Sequence, residues 1–139
     1  MRWIATVLAV ALLTGCQGRE PQVTNAWVRL PAVPGRPAAA YFTIKAGDVG
    51  RTLLGVGGTA FKRAELHESM AKGMRALPTV TIAAGEEVAF APAGRHVMLY
   101  DVDPAVTPGA TVPLQLTFGD EKSVTIEARV VGAADPAPE

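Results

Sequence analysis

Two segments near the end of the chain constrain its fold most. From Thr111 to Phe118, the residues Val112, Leu114, Leu116 and Phe118 take every second position. From Ser123 to Val131, so do Val124, Ile126, Ala128 and Val130. A period of two puts each set on one face of an extended strand. Gly119-Asp120 between them supplies a turn, so the pair reads as an antiparallel hairpin with one apolar face. A hairpin of that kind needs a second sheet layer to cover it.

Earlier stretches offer that layer. Strands are expected over Val23 to Leu30, Ala38 to Lys45, Arg51 to Gly57, Phe61 to Glu68, Thr79 to Ile82, Glu86 to Ala91 and Arg95 to Val102. The first ends at a loop from Pro31 to Pro37, where prolines at 31, 34 and 37 remove ladder donors. In the fourth, alternation puts Ala64 and Leu66 on one face and Phe61, Arg63, Glu65 and His67 on the other. Glu68 to Gly73 follows as a short loop. No long amphipathic helix and no internal repeat is visible. The expected fold is all-β, an antiparallel β-sandwich.

The domain occupies residues 23–131. Before it, Met1-Arg2 and the apolar run Trp3 to Leu13 form a secretory leader, too short to span a membrane. Leu13-Thr14-Gly15-Cys16 resembles the lipobox of bacterial lipoproteins. That resemblance implies removal of residues 1–15, lipid on Cys16, a tether over 16–22 and a periplasmic location on the inner or outer membrane. Residues 132–139, rich in Pro, Ala and acidic side chains, are expected to be a disordered tail. Without Arg2, the 13 basic residues fall to 12 against 13 acidic ones. No basic run offers a surface for nucleic acid. Cys16 is the only cysteine, so the domain has neither a disulfide nor a thiolate ligand.

Both histidines of the chain, His67 and His96, and every methionine after the initiator, Met70, Met74 and Met98, fall between positions 67 and 98. In a strand, His96 and Met98 point to the same face, about 6–7 Å apart along the backbone. Imidazole with thioether is a soft donor set that selects Cu(I) over Zn, Mg or Ca. Cu(II) with an added water or further ligand is the variant of this reading. The alternative is that methionines fill a core and histidines sit on a surface. His67 ends its strand, and convergence with His96 requires the two strands to be neighbours.

These residues resemble the PCuAC family of periplasmic copper chaperones, whose pattern is a His followed by Met-x21-His-x-Met. Residues 75–95 between Met74 and His96 make that gap of 21. Ala26-Trp27-Val28-Arg29, Ala39-Ala40-Tyr41-Phe42, Glu65-Leu66-His67-Glu68 and the run from Ala91 to Leu99 resemble the family's strands. The resemblance covers Val23 to Val131. It implies a cupredoxin-like sandwich, copper ligands at His67, Met74, His96 and Met98, and delivery of Cu(I) to a partner. That partner would be a subunit of cytochrome c oxidase at its CuA centre, or another copper chaperone. Only residues 68–73 separate His67 from Met74, fewer than in the family, and Met70 falls outside the pattern as an additional candidate ligand.

Other functions have weaker support in the residues. A small enzyme using His67 or His96 as general base with Glu65 or Glu68 lacks a nucleophile motif, so no enzyme activity is expected. A blue-copper electron carrier needs a Cys thiolate in the domain. Copper buffering or resistance uses the same ligands for another purpose. A metal-free envelope β-sandwich is the remaining alternative.

Overall fold

The computed structural model describes residues 20–139. The leader, the lipobox and Cys16 therefore lie outside the described residues. The rest forms ten strands: β1 (Gln22–Arg29), β2 (Ala38–Lys45), β3 (Arg51–Gly57), β4 (Arg63–Met70), β5 (Gly73–Ala76), β6 (Val80–Ile82), β7 (Glu87–Phe90), β8 (Arg95–Tyr100), β9 (Thr111–Phe118) and β10 (Ser123–Val131). They join in the order β5-β4-β8-β2-β1-β10-β9-β3-β6, with β7 also on β2. The sheet curls so that one face closes on itself as a sandwich, as in cupredoxin-like folds.

One pairing differs from the expected all-antiparallel arrangement. β1 runs parallel to β10, with Trp27 opposite Arg129 and Arg29 opposite Val131. A parallel pair needs a long crossover, and here the eight intervening strands provide it. The sheet is therefore mixed.

The inner face carries the alternating residues. Leu114, Leu116 and Phe118 of β9, Ala128 and Val130 of β10, Leu53 of β3 and Phe42 and Ile44 of β2 are buried together in one core. Each such Leu, Ile, Val or Phe side chain contributes about 1.5–3 kcal/mol by leaving water. Phe61 belongs to this core rather than to the histidine face. β4 starts only at Arg63, after Phe61 has turned inward against Gly58. A Cβ on Gly58 would meet the Phe61 ring at 2.6 Å, so that approach requires glycine.

The outer face has its own small cluster. Trp27 and Tyr41 are cross-strand neighbours of β1 and β2, both buried, with ring centroids 4.4 Å apart. A bulge at Asn25 (φ 54°) shifts the register just before Trp27. Burial raises the Tyr41 pKa while Arg29 pulls it the other way, so the neutral phenol is the form that packs. Arg29 lies over Trp27 at 5.1 Å and donates hydrogen bonds to the carbonyls of Ala133 and Asp135. The segment 132–139, expected to be disordered, has no regular structure but is tied to β1 by these bonds.

Strand β2 positions the site. Its Ala38–Ala40 pairs with β8, and its Phe42–Lys45 pairs with β7. β7 and β8 thus follow one another along a single edge of β2. The chain between them is a tight turn closed by Gly94 N–H to the Ala91 carbonyl and Ala91 N–H to the Arg95 carbonyl. This turn delivers His96 as the second residue of β8.

Candidate metal centre

β4 and β8 are antiparallel neighbours, which is what convergence of the two histidines required. Their register sets His67 directly opposite His96 and Glu65 directly opposite Met98. The i, i+2 rule then places Glu65, His67, Ser69, His96 and Met98 on one face, the outer one. Leu66 and Val97 alternate with them and point into the core.

Beyond β4 the expected loop is a hairpin. β4 continues to Met70, Ala71-Lys72 make the turn, and β5 returns from Gly73. Gly73 has φ +110°, a conformation that L side chains rarely adopt. The hairpin pairs Ser69 with Met74 and Met70 with Gly73. Met74 therefore shares the histidine face, whereas Met70 is on the other. Two strand spacings, about 10 Å, separate the β5 and β8 backbones. The small Ser69 between them leaves the long Met74 side chain free to cross. Its sulfur comes to 3.1 Å from His96 Nε2.

The two imidazoles have centroids 5.8 Å apart. His96 is 6% exposed, and its Nδ1 donates to the Gly94 carbonyl at 3.1 Å. A carbonyl only accepts, so the proton is on Nδ1 and the Nε2 lone pair faces the thioether. His67 Nε2 meets Glu65 Oε2 at 3.0 Å, and His67 Nδ1 is buried with no hydrogen-bond partner. A buried nitrogen without a partner is costly, and a metal ion would supply one. Nitrogen and sulfur ligands bind at about 2.0–2.3 Å, so donors 3.1 Å apart both reach one ion. Among the described residues no group of three or more His, Cys, Asp or Glu is arranged to hold a metal ion, and the donor that does lie against an imidazole is the Met74 thioether. Met98 is half-buried on the same face. Met74 is 58% and Met70 54% exposed. A cleft of about 700 Å³ opens elsewhere, between Leu30–Arg36 and Asp101–Val106, and contains neither His nor Met.

Sequence reasoning paired Glu65 with His67 only as a candidate base. The structure makes it the centre of a small network. Glu65 accepts from His67, from the Tyr100 hydroxyl at 3.2 Å and from Arg63, whose guanidinium also lies 4.0 Å over the Tyr100 ring. The Glu65-x-His67 spacing in a strand was the available signal.

Residues 22–130 match the family model described as "Putative lipoprotein LpqE-like". The chain belongs to the LpqE-like family. No curated protein matches it by sequence. Among solved structures, this LpqE-like chain is similar to the copper-bound PCuAC domain from PmoF2, at 23% identity and TM-score 0.72 over 83% of this chain and 95% of that one. The apo PCuAC domain from PmoF1 gives 24% and 0.69, over 83% and 96%. The solution structure of Cu(I)-bound DR1885 from Deinococcus radiodurans gives 28% and 0.68, over 87% and 85%. The LpqE-like domain thus has the PCuAC fold, as its sequence led us to expect.

Proposed function

We propose that this protein is a copper chaperone of the bacterial envelope. It binds Cu(I) through His67, Met74, His96 and Met98. The observation that carries this reading is the contact of His96 Nε2 with Met74 Sδ at 3.1 Å, beside a His67 that keeps one buried nitrogen unpartnered. Both are neutral, soft donors suited to Cu(I). The Cu(I) form of DR1885, at 28% identity, supports the same cargo. Cu(II) binding would draw on an added water or carboxylate.

The exposure of Met74 supports delivery rather than storage. Met74 is more than half exposed at the tip of a two-stranded hairpin. An acceptor's ligand can reach the metal there before the histidines let go. The acceptor we propose is the CuA centre of cytochrome c oxidase or a second copper chaperone. The protein is anchored through lipid on Cys16 and faces the periplasm, in keeping with the lipoprotein description of its family. We propose no enzyme activity.

The test is titration of the domain from Gln17 onward with Cu(I) against a chromophoric chelator. One equivalent should compete with the chelator, and His96→Ala should abolish that competition. Wild-type protein unable to compete would leave a metal-free β-sandwich as the better account. Retention of Cu(I) in the presence of an apo CuA domain would favour buffering over delivery.

A further inference from the structure

We infer that Glu65 is a positioning residue that selects which nitrogen of His67 binds the metal. The two histidines then ligate through different atoms, His67 through Nδ1 and His96 through Nε2. This rests on the copper reading above and goes beyond it.

The inference begins with the donors around Glu65. Arg63 sits on Oε1, while the Tyr100 hydroxyl and His67 Nε2 both sit on Oε2. A carboxylate is acceptor-only, so the imidazole nitrogen facing it carries the proton. A neutral imidazole has one N–H, which leaves the lone pair of His67 on Nδ1. That atom is the buried one without a partner. At His96 the same logic runs in reverse. The Gly94 carbonyl holds the proton on Nδ1, and Nε2 is left facing Met74.

The antiparallel geometry gives a reason for the asymmetry. His67 and His96 are cross-strand partners. One is oriented by a side chain two residues before it on β4. The other is oriented by a backbone carbonyl two residues before it at the entry to β8. Carboxylate and carbonyl partners of metal-binding histidines fix tautomer and ring orientation, and their loss typically costs 10–100-fold in metal affinity. Tyr100 and Arg63 in turn hold the carboxylate in place. Glu65 is partly exposed, with 38% of its side chain accessible, so its removal leaves the core intact.

The experiment uses imidazole nitrogen NMR of the full domain, without metal and with one equivalent of Cu(I), which is d10 and diamagnetic. In the metal-free wild type, His67 should show its proton on Nε2 and His96 on Nδ1. On adding Cu(I), the His67 Nδ1 and His96 Nε2 resonances should shift while both protons persist. Glu65→Ala should mix the His67 tautomers, leave His96 unchanged and weaken Cu(I) 10–100-fold by chelator competition. Tyr100→Phe should keep the tautomer and cost less than tenfold. A wild-type His67 with its proton on Nδ1 overturns the inference. So does a Glu65→Ala variant that binds Cu(I) within twofold of wild type, or one that loses thermal stability with its tautomer unchanged. Wild-type protein with the stated tautomers that takes up no Cu(I) overturns the copper reading and the donor assignment together.

Discussion

The β9–β10 and β4–β5 hairpins are the same unit put to opposite uses. Both are antiparallel pairs joined by short turns. β9 buries every second residue, and Leu114, Leu116 and Phe118 have no exposed surface. β5 buries nothing, since all four of its residues are exposed. The first hairpin is held by core packing. The second is held by its ladder, by the Glu68–Arg75 ion pair and by the Leu77 N–H bond to the Leu66 carbonyl. Core packing thus resides in one hairpin, and the other carries two of the four proposed copper ligands, His67 and Met74. A ligand arm with little apolar anchorage can open to receive or release an ion without disturbing the core.

The largest effect expected from this division is on stability. Leu116→Ala should cost about 2–5 kcal/mol, read by denaturant unfolding. Below the unfolding midpoint, its Cu(I) affinity should stay within threefold of wild type. A parallel collapse of affinity would show that the two hairpins are energetically coupled.

Met74→Leu is the reciprocal change. It should weaken Cu(I) about tenfold, equivalent to about 1.4 kcal/mol, while the unfolding midpoint stays where it was. The side chain is exposed and Leu keeps its apolar volume, so the fold loses nothing. An unchanged affinity would remove Met74 from the site and leave the 3.1 Å contact with His96 without function.

Gly73→Ala probes the arm itself. Nothing lies within 4 Å of the added Cβ, so the cost comes only from φ +110°, on the order of 1 kcal/mol. Amide exchange should quicken across β4–β5 and stay slow in β9–β10. Exchange that rises equally in both would mean the arm is part of the cooperative core.

The same contrast explains what was legible in the sequence. The spans of β2, β3, β9 and β10 could be read directly, β9 and β10 from the alternation that burial on one face leaves, β2 and β3 as short apolar runs bounded by Pro- and Gly-containing turns. The shared face of His96 and Met98 followed from the same period. β5 was invisible because Gly73-Met74-Arg75-Ala76 contributes nothing to the core, and a strand held by backbone bonds and an ion pair carries no apolar signature. The parallel β1–β10 pairing was invisible too. It is a property of how the two ends of the domain meet, and neither strand records its partner's direction. Glu65 was placed on the His67 face and paired with it as a candidate base, but its role in holding the imidazole was out of reach, because the Tyr100 hydroxyl that shares its carboxylate comes from β8 and only the strand pairing brings it there.

Met70 gives the smallest expected effect and the most pointed test of the arm. By composition it is as good a ligand as Met74, three residues from His67 and equally soft. The two-residue turn decides otherwise. With Met70 opposite Gly73 and Ser69 opposite Met74, the alternation that brings Met74 over His96 must send Met70 to the opposite face. Met70→Leu should therefore leave Cu(I) affinity within twofold, as measured by the same chelator competition. A tenfold loss would require the turn to slip by one residue, exchanging the two methionines between faces. Such a slip would move Ser69 as well and open the bond from its N–H to the Gly94 carbonyl, which amide exchange at Ser69 would report. Affinity at Met70 and protection at Ser69 are thus bound together, because one register sets both.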